Sequence, residues 1–135
     1  MKKILTYRGM AMPWECDSNR HLNVMYYVNK FEQAGRNFMH EMGLHELSTN
    51  PEMGVVALEQ KINYFQEVHA DDLLKIHSSL LDIDTKAFTV LHEMYNIRTA
   101  EVISTMKIVF VLFDRMNRCA LPFPPERRET LLQQL

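Results

Sequence analysis

With 135 residues and 47% hydrophobic content, the chain has the size of one domain and enough apolar material for a buried core. Its net charge of −2 supplies no broad positive field, which argues against nucleic acid or an anionic membrane surface as a partner. Cys16 and Cys119 are its two cysteines; with no Cys-x-x-Cys and no Cys/His cluster they argue against a disulfide scaffold or structural zinc, and they suit a reducing cytoplasm.

The N-terminal residues through Arg8 are partly basic but contain no continuous apolar stretch, and no run approaches the roughly eighteen residues that cross a bilayer. A chain neither exported nor inserted in a membrane is expected. Ile4 to Met12 reads as a first strand, stopped by Pro13, which has no N–H to give to a ladder. From Trp14 to Tyr27 polar and ionisable residues crowd together just ahead of the longest helical pattern. Asp17, Asn19, His21 and Asn23 alternate, and in an extended segment they would point to one side. Asp, Ser and Asn also build ordinary turns and helix caps, so a plain capped loop accounts for the same residues.

From Val24 the apolar positions Tyr27, Val28, Phe31, Ala34, Gly35, Phe38 and Met42 recur at intervals of three and four, which predicts an amphipathic helix. Asn29, Lys30, Glu32, Gln33, Arg36 and Asn37 fall between them as its polar side. Asn23 is placed to cap its start, and Gly43 followed by Leu44 to end it in a left-handed turn. Beyond a loop through Ser48 to Pro51 the period becomes two. Val56, Leu58, Ile62 and Tyr64 predict a half-buried strand.

Leu73 to Ile83 follows as a strand whose apolar face switches between Leu80 and Leu81, the mark of a bulge. Phe88, Val90, His92 and Met94 alternate in the next strand. Val102 to Phe113 is apolar on both faces in its second half, as a central or interface strand is. Pro122 to Pro125 breaks the pattern before a short helix or tail from Glu126 to Leu135. One long helix followed by consecutive antiparallel strands predicts an α+β fold, a single domain over residues 1–135 with about five strands.

The spacing Asp17-x-Asn19-x-His21-x-Asn23, with Tyr27 four residues on, resembles the signature of hotdog-fold thioesterases, in particular the acyl-CoA and acyl-carrier-protein branch that includes the 4-hydroxybenzoyl-CoA type. That resemblance implies an antiparallel sheet wrapped around one long central helix. It implies hydrolysis of an acyl thioester, with Asp17 as general base or nucleophile and Asn19 and His21 acting beside it. Two positions depart from the family pattern: Arg20 stands where many members have Gly, and Val24 where many have a second Asn.

Thioester hydrolysis needs a group that activates water or attacks, and dipoles that hold the oxyanion. Asp17 supplies the first, and unpaired backbone N–H groups near Val24 supply the second. Asn23, Val24, Tyr26, Tyr27 and Trp14 are candidate substrate-binding residues. The Trp14-Glu15-x-Asp17 start also resembles thioesterases for betainyl- or carnityl-type CoA esters, and a cationic acyl group would want an aromatic or acidic box, for which Trp14, Tyr26 and Tyr27 are candidate members. Glu59 is a further candidate, reaching the site from another subunit. Cys16 lies between Glu15 and Asp17, whose charges disfavour a thiolate. The remaining histidines show no ligand spacing, so no metal is expected.

The expected protein is a cytoplasmic acyl-CoA thioesterase with no cofactor other than the coenzyme A of its substrate. A homodimer or homotetramer is expected because a sheet edge needs cover. The competing readings are a thioesterase for acyl-carrier protein, a non-catalytic acyl-thioester-binding protein, and a hydratase of the same fold. The hydratase branch places His five residues after its Asp, where this chain has Leu22.

Overall fold

The computed structural model describes residues 2–135; Met1, part of the single domain expected over 1–135, lies outside them. Six strands, β1 (Ile4–Met10), β2 (Met53–Tyr64), β3 (Leu73–Ile83), β4 (Ala87–Asn96), β5 (Val102–Asp114) and β6 (Cys119–Leu121), form one antiparallel sheet. Its main path runs β1-β3-β4-β5-β2, with β6 paired to the end of β5. Among the described residues three α-helices accompany it: α1 (Val24–Glu41), α2 (His45–Thr49) and α3 (Pro125–Leu132). The α+β hotdog arrangement is therefore present, with a short sixth strand beyond the expected five.

Helix α1 lies across β1, β3 and β4 and buries Tyr27, Phe31, Ala34, Gly35, Phe38 and Met39. All but Met39 are stripe positions, so the helical period largely matches the buried face; Val24, expected on the stripe, is 56% exposed, and Lys30, expected on the polar side, is buried. Truncating a ring such as Phe38 to alanine would cost about 3–5 kcal/mol by the usual cavity rule. At its far end Gly43 adopts φ 68°, and Arg127 from α3 donates to the Gly43 carbonyl at 2.7 Å and pairs with Glu46 at 3.1 Å. The left-handed stop is thus locked from outside the helix.

Strand β5 is central, between β4 and β2, and buries Ile108, Phe110, Val111 and Leu112, which is why both its faces are apolar. The bulge expected in β3 is present: the pairing with β4 shifts between Leu80 and Asp82. In β2 the expectation of a half-buried strand fails. β2 is an edge strand whose register against β5 slips between Ala57 and Glu59, leaving Leu58 without a partner and 66% exposed. One extra residue moves every following side chain to the opposite face, so the simple alternation does not continue along the strand. Among the described residues, no helix is long and apolar enough to cross a membrane.

Candidate active site

The segment ahead of α1 is folded tightly rather than extended. A 3-10 turn over Pro13–Glu15 leads to a bridge between Cys16 and Leu22, inside which the Asp17 N–H donates to the His21 carbonyl at 3.1 Å. Arg20 sits at φ 66°, in the left-handed region, and its N–H returns to the Asp17 carbonyl at 2.9 Å. The departure from glycine therefore falls on a backbone conformation that glycine adopts most easily. The segment turns instead of extending, so alternation does not set its side chains: Asp17 and His21 line one depression and Asn23 reaches Asp17, while the Asn19 side chain is exposed.

Asp17 is half-buried and held at both carboxylate oxygens. The Asn19 backbone N–H donates to Oδ1 at 2.9 Å, and the Asn23 side-chain amide reaches Oδ2 at 3.4 Å. Asn23 also caps α1, its Oδ1 accepting the Met25 N–H at 3.0 Å. One side chain thus links the carboxylate to the helix start. With Met25 capped in this way, the Val24 N–H has no hydrogen-bond acceptor among the described residues, and it carries the positive end of the helix dipole.

A depression of about 250 Å³ opens beside Asp17, lined also by His21, Leu22, Val24, Tyr27, Tyr64, Gln66 and Glu67. The last three come from the end of β2 and the loop after it; the sequence marks Tyr64 only as a strand position and none of the three as a site residue. Tyr27 is 5% exposed and packs edge-to-face on Tyr64 at 5.0 Å between ring centroids. Its phenol is pushed up to about 12, first by burial and then by Tyr64 and Glu67, so it stays a neutral hydroxyl at ordinary pH. Glu67 also lies 3.7 Å from His21 and 3.6 Å from His69.

Not every candidate gathers here. The Asn19 side chain is exposed at the loop tip, and only its backbone touches Asp17. Trp14 is 71% exposed and Tyr26 packs against the core, so within one chain the two do not join Tyr27 in a box. Glu59 is exposed on the edge strand and does not line the depression. A second cavity, of about 300 Å³, lies between α1, α2, β2 and β5 and is lined by Gly35, Met39, Val55 and Phe110 among others. It holds none of the motif residues; the smaller depression is where a carboxylate, an imidazole and a helix start converge.

Sequence also missed a buried ion pair directly beneath this segment. Lys30 is 2% exposed, and its ammonium bonds both carboxylate oxygens of Glu15 at 2.9 and 3.0 Å. The signal was present, since Lys30 lies three residues after Tyr27 and four before Ala34, on the inward stripe rather than the polar side.

Three comparisons bear on these features. The profile of the thioesterase-like superfamily matches residues 12–134. Slr0204, a 1,4-dihydroxy-2-naphthoyl-CoA thioesterase from Synechocystis, superposes with a TM-score of 0.84 at 12% identity, over 97% of this chain and 96% of its own. YbaW from Escherichia coli, named a probable thioesterase, gives 0.85 at 23% identity, over 97% and 98%. The hypothetical protein SAV2348 from Staphylococcus aureus, solved in complex with CoA, gives 0.81 at 19% identity, over 99% and 83%. At these identities the structural likeness is one of fold. Comparison with curated proteins returns no match.

Proposed function

Because the chain belongs to the thioesterase-like superfamily, we propose that it is an acyl-CoA thioesterase, converting an acyl thioester and water into a free acid and a thiol. The observation that carries this reading is that a half-buried, doubly hydrogen-bonded Asp17 lines one depression together with Val24, the first residue of α1, whose N–H has no acceptor among the described residues. Asp17 takes a proton from the attacking water, or attacks the carbonyl itself, while the Val24 N–H receives the developing oxyanion. His21 stands at the same depression as an acid/base group. The CoA complex of SAV2348 supports coenzyme A as the carrier, and the reaction as written needs no cofactor beyond it. Free Cys16 and Cys119 suit a reducing cytoplasm.

We further propose that the protein works as at least a homodimer through its β2 edge. Leu58, Tyr64 and Phe65 are exposed along and just beyond that edge, at 66%, 47% and 57%, and Glu59 lies among them, where a partner would bring it toward a neighbouring site. Light scattering at micromolar concentration should give a dimer or tetramer, and a monomer would remove the edge from the argument.

One observation favours a second reading, a non-catalytic acyl-thioester-binding protein: Asp17 Oδ1 is engaged in its own turn through the Asn19 N–H, as a purely structural aspartate would be. A panel of acyl-CoA esters assayed by thiol release separates the two. Hydrolysis abolished by Asp17→Asn supports the enzyme, whereas binding without turnover across the panel supports the second reading.

A further inference from the structure

Glu15 meets the candidate site by two routes. Its carboxylate receives three hydrogen bonds, two from Lys30 on the second turn of α1 and one from the Met12 N–H at 2.8 Å. Its backbone carbonyl receives the Asn23 N–H at 2.9 Å. Asn23 in turn caps α1 and donates to Asp17. A continuous chain of bonds therefore runs from the Lys30 ammonium through Glu15 and Asn23 to the Asp17 carboxylate. One end of that chain stands on α1, and Asn23, next to its other end, caps the same helix.

The pair is an expensive way to obtain stability. Lys30 and Glu15 are 2% and 9% exposed, and stripping water from two charges offsets most of their attraction, so apolar residues of similar volume often hold such a place equally well. What an ion pair supplies that an apolar contact does not is directional geometry. The Glu15 carboxylate has one set of partners and one orientation, and Tyr7 closes the ammonium from the other side, its ring centroid 5.8 Å away. Outside this pair the segment is tied to the rest of the fold by the bond from the Leu22 N–H to the Val68 carbonyl at 2.7 Å and by His21, 3.7 Å from Glu67, a residue that is itself largely exposed.

We propose that Lys30 and Glu15 are positioning residues for the reaction: their buried pair fixes the separation between the Asp17 carboxylate and the first N–H of α1. The inference rests on the thioesterase reading above. Attack on the carbonyl and stabilisation of the resulting oxyanion must occur on one carbon atom, so the base and the donor have to be held at a set distance. Asp17 and the Val24 N–H lie on either side of the Asn23 hinge, and Glu15 holds that hinge by its backbone. Neither Lys30 nor Glu15 touches the depression, so neither is a catalytic residue.

The test is the double variant Glu15→Leu with Lys30→Met, which leaves no unpaired charge in the interior. Thermal unfolding should stay close to wild type, while kcat falls by about tenfold to a hundredfold with KM changed far less. Hydrogen exchange supplies a readout independent of turnover: the Asn23 and Met25 amides should lose protection while amides of β3, β4 and β5 keep theirs. A Lys30→Arg variant, which retains the charge and the bidentate geometry, should recover most of the lost rate. A folded double variant with wild-type kcat and unchanged exchange at Asn23 and Met25 overturns the proposal. A double variant that does not fold also overturns it, by assigning the pair to folding. If the wild-type protein hydrolyses no acyl thioester, the function fails, but the exchange measurement still decides whether the pair positions the segment.

Discussion

Two polar clusters adjoin α1, one ahead of its first residue and one against the stretch carrying Phe31 and Gly35, and they differ in how they meet solvent. The one before the helix, Asp17 with Asn19, His21 and Asn23, is open: its carboxylate is half-buried and its bonds run mostly to backbone. The other lies beneath the helix, where Thr6, Ser78 and His92 are 2%, 0% and 1% exposed and joined by bonds of 2.7 and 2.6 Å. The first stays wet and leaves a carboxylate and a backbone donor for a ligand. In the second, burial holds the His92 imidazole down at about 4, so that it remains neutral. Polar residues in a sequence therefore do not by themselves mark chemistry. What separates the clusters is whether the groups stay open to solvent or are shut in the core, where His92 Nδ1 bonds Ser78 and, among the described residues, Nε2 has no partner.

The most direct way to break the comparison is to remove Asp17, the proposed base or nucleophile of the open cluster. Asp17→Asn retains an acceptor for the Asn19 N–H and so should leave the turn and the fold intact. If Asp17 is the base or nucleophile, kcat should fall by about 10²–10⁴-fold, or roughly 3–5 kcal/mol in the barrier. Thiol release from acyl-CoA esters measures it. A folded variant with near-wild-type turnover would reduce the open cluster to a capped loop.

The closed cluster predicts an effect on stability instead. His92 has its folded value depressed to about 4 from an ordinary 6.5, so between those values the unfolded chain binds the additional proton. Stability therefore rises with pH through that window, is fully present above about 6.5, and is lost as pH falls toward 4. The contribution is of order 3 kcal/mol. His92→Gln keeps a polar partner for Ser78 without titrating, so its denaturation midpoint should depend less steeply on pH between 4 and 6.5. An unchanged slope would mean that His92 is not held neutral in the fold.

The sequence exposed these clusters unequally, for physical reasons. The stripe from Tyr27 to Met39, the Asn23 cap, the left-handed Gly43 and the bulge at Leu81 are local features, and periodicity or turn chemistry reveals them. Glu67, Tyr64 and Gln66 are not local to the motif. They reach it because β2 ends beside the start of α1, and nothing within one window of sequence states that. Leu58 defeats the period-two reading of β2 by being the extra residue of a bulge. The five-residue α2 and three-residue β6 are too short to display a period. Lys30 was assigned to the polar side by residue type although its position put it on the buried one, and the partner that makes its burial tolerable lies fifteen residues earlier. His92 read as an isolated histidine because Ser78 and Thr6 come from two other strands.

Asn23 lies between the extremes, since it both caps a helix and touches the candidate base. Asn23→Ala should cost about 1 kcal/mol of stability from the lost cap. If the cap also holds the oxyanion donor in place, kcat should fall further than substrate binding weakens. Denaturation and steady-state kinetics on one preparation distinguish these roles. Loss of stability with kcat unchanged would leave Asn23 as a cap alone and move the oxyanion donor elsewhere.

The smallest effect concerns Arg20, where the open cluster meets the departure from the family pattern. At φ 66° an arginine pays the steric cost of the left-handed region, because its Cβ crowds the following carbonyl. Arg20→Gly removes that crowding but gives the unfolded chain more freedom, which acts in the opposite direction by about 0.4–1 kcal/mol. The two nearly cancel, so the variant should be as stable as wild type or more stable by no more than about 1 kcal/mol. Arg20→Val is the sharper control, since a β-branched side chain tolerates this backbone least and should destabilise clearly. The arginine side chain is exposed and does not line the depression, so turnover in Arg20→Gly should remain near wild type. A large loss of kcat in a stable Arg20→Gly would instead make Arg20 a contact for the substrate, and the open cluster would then extend to the tip of its loop.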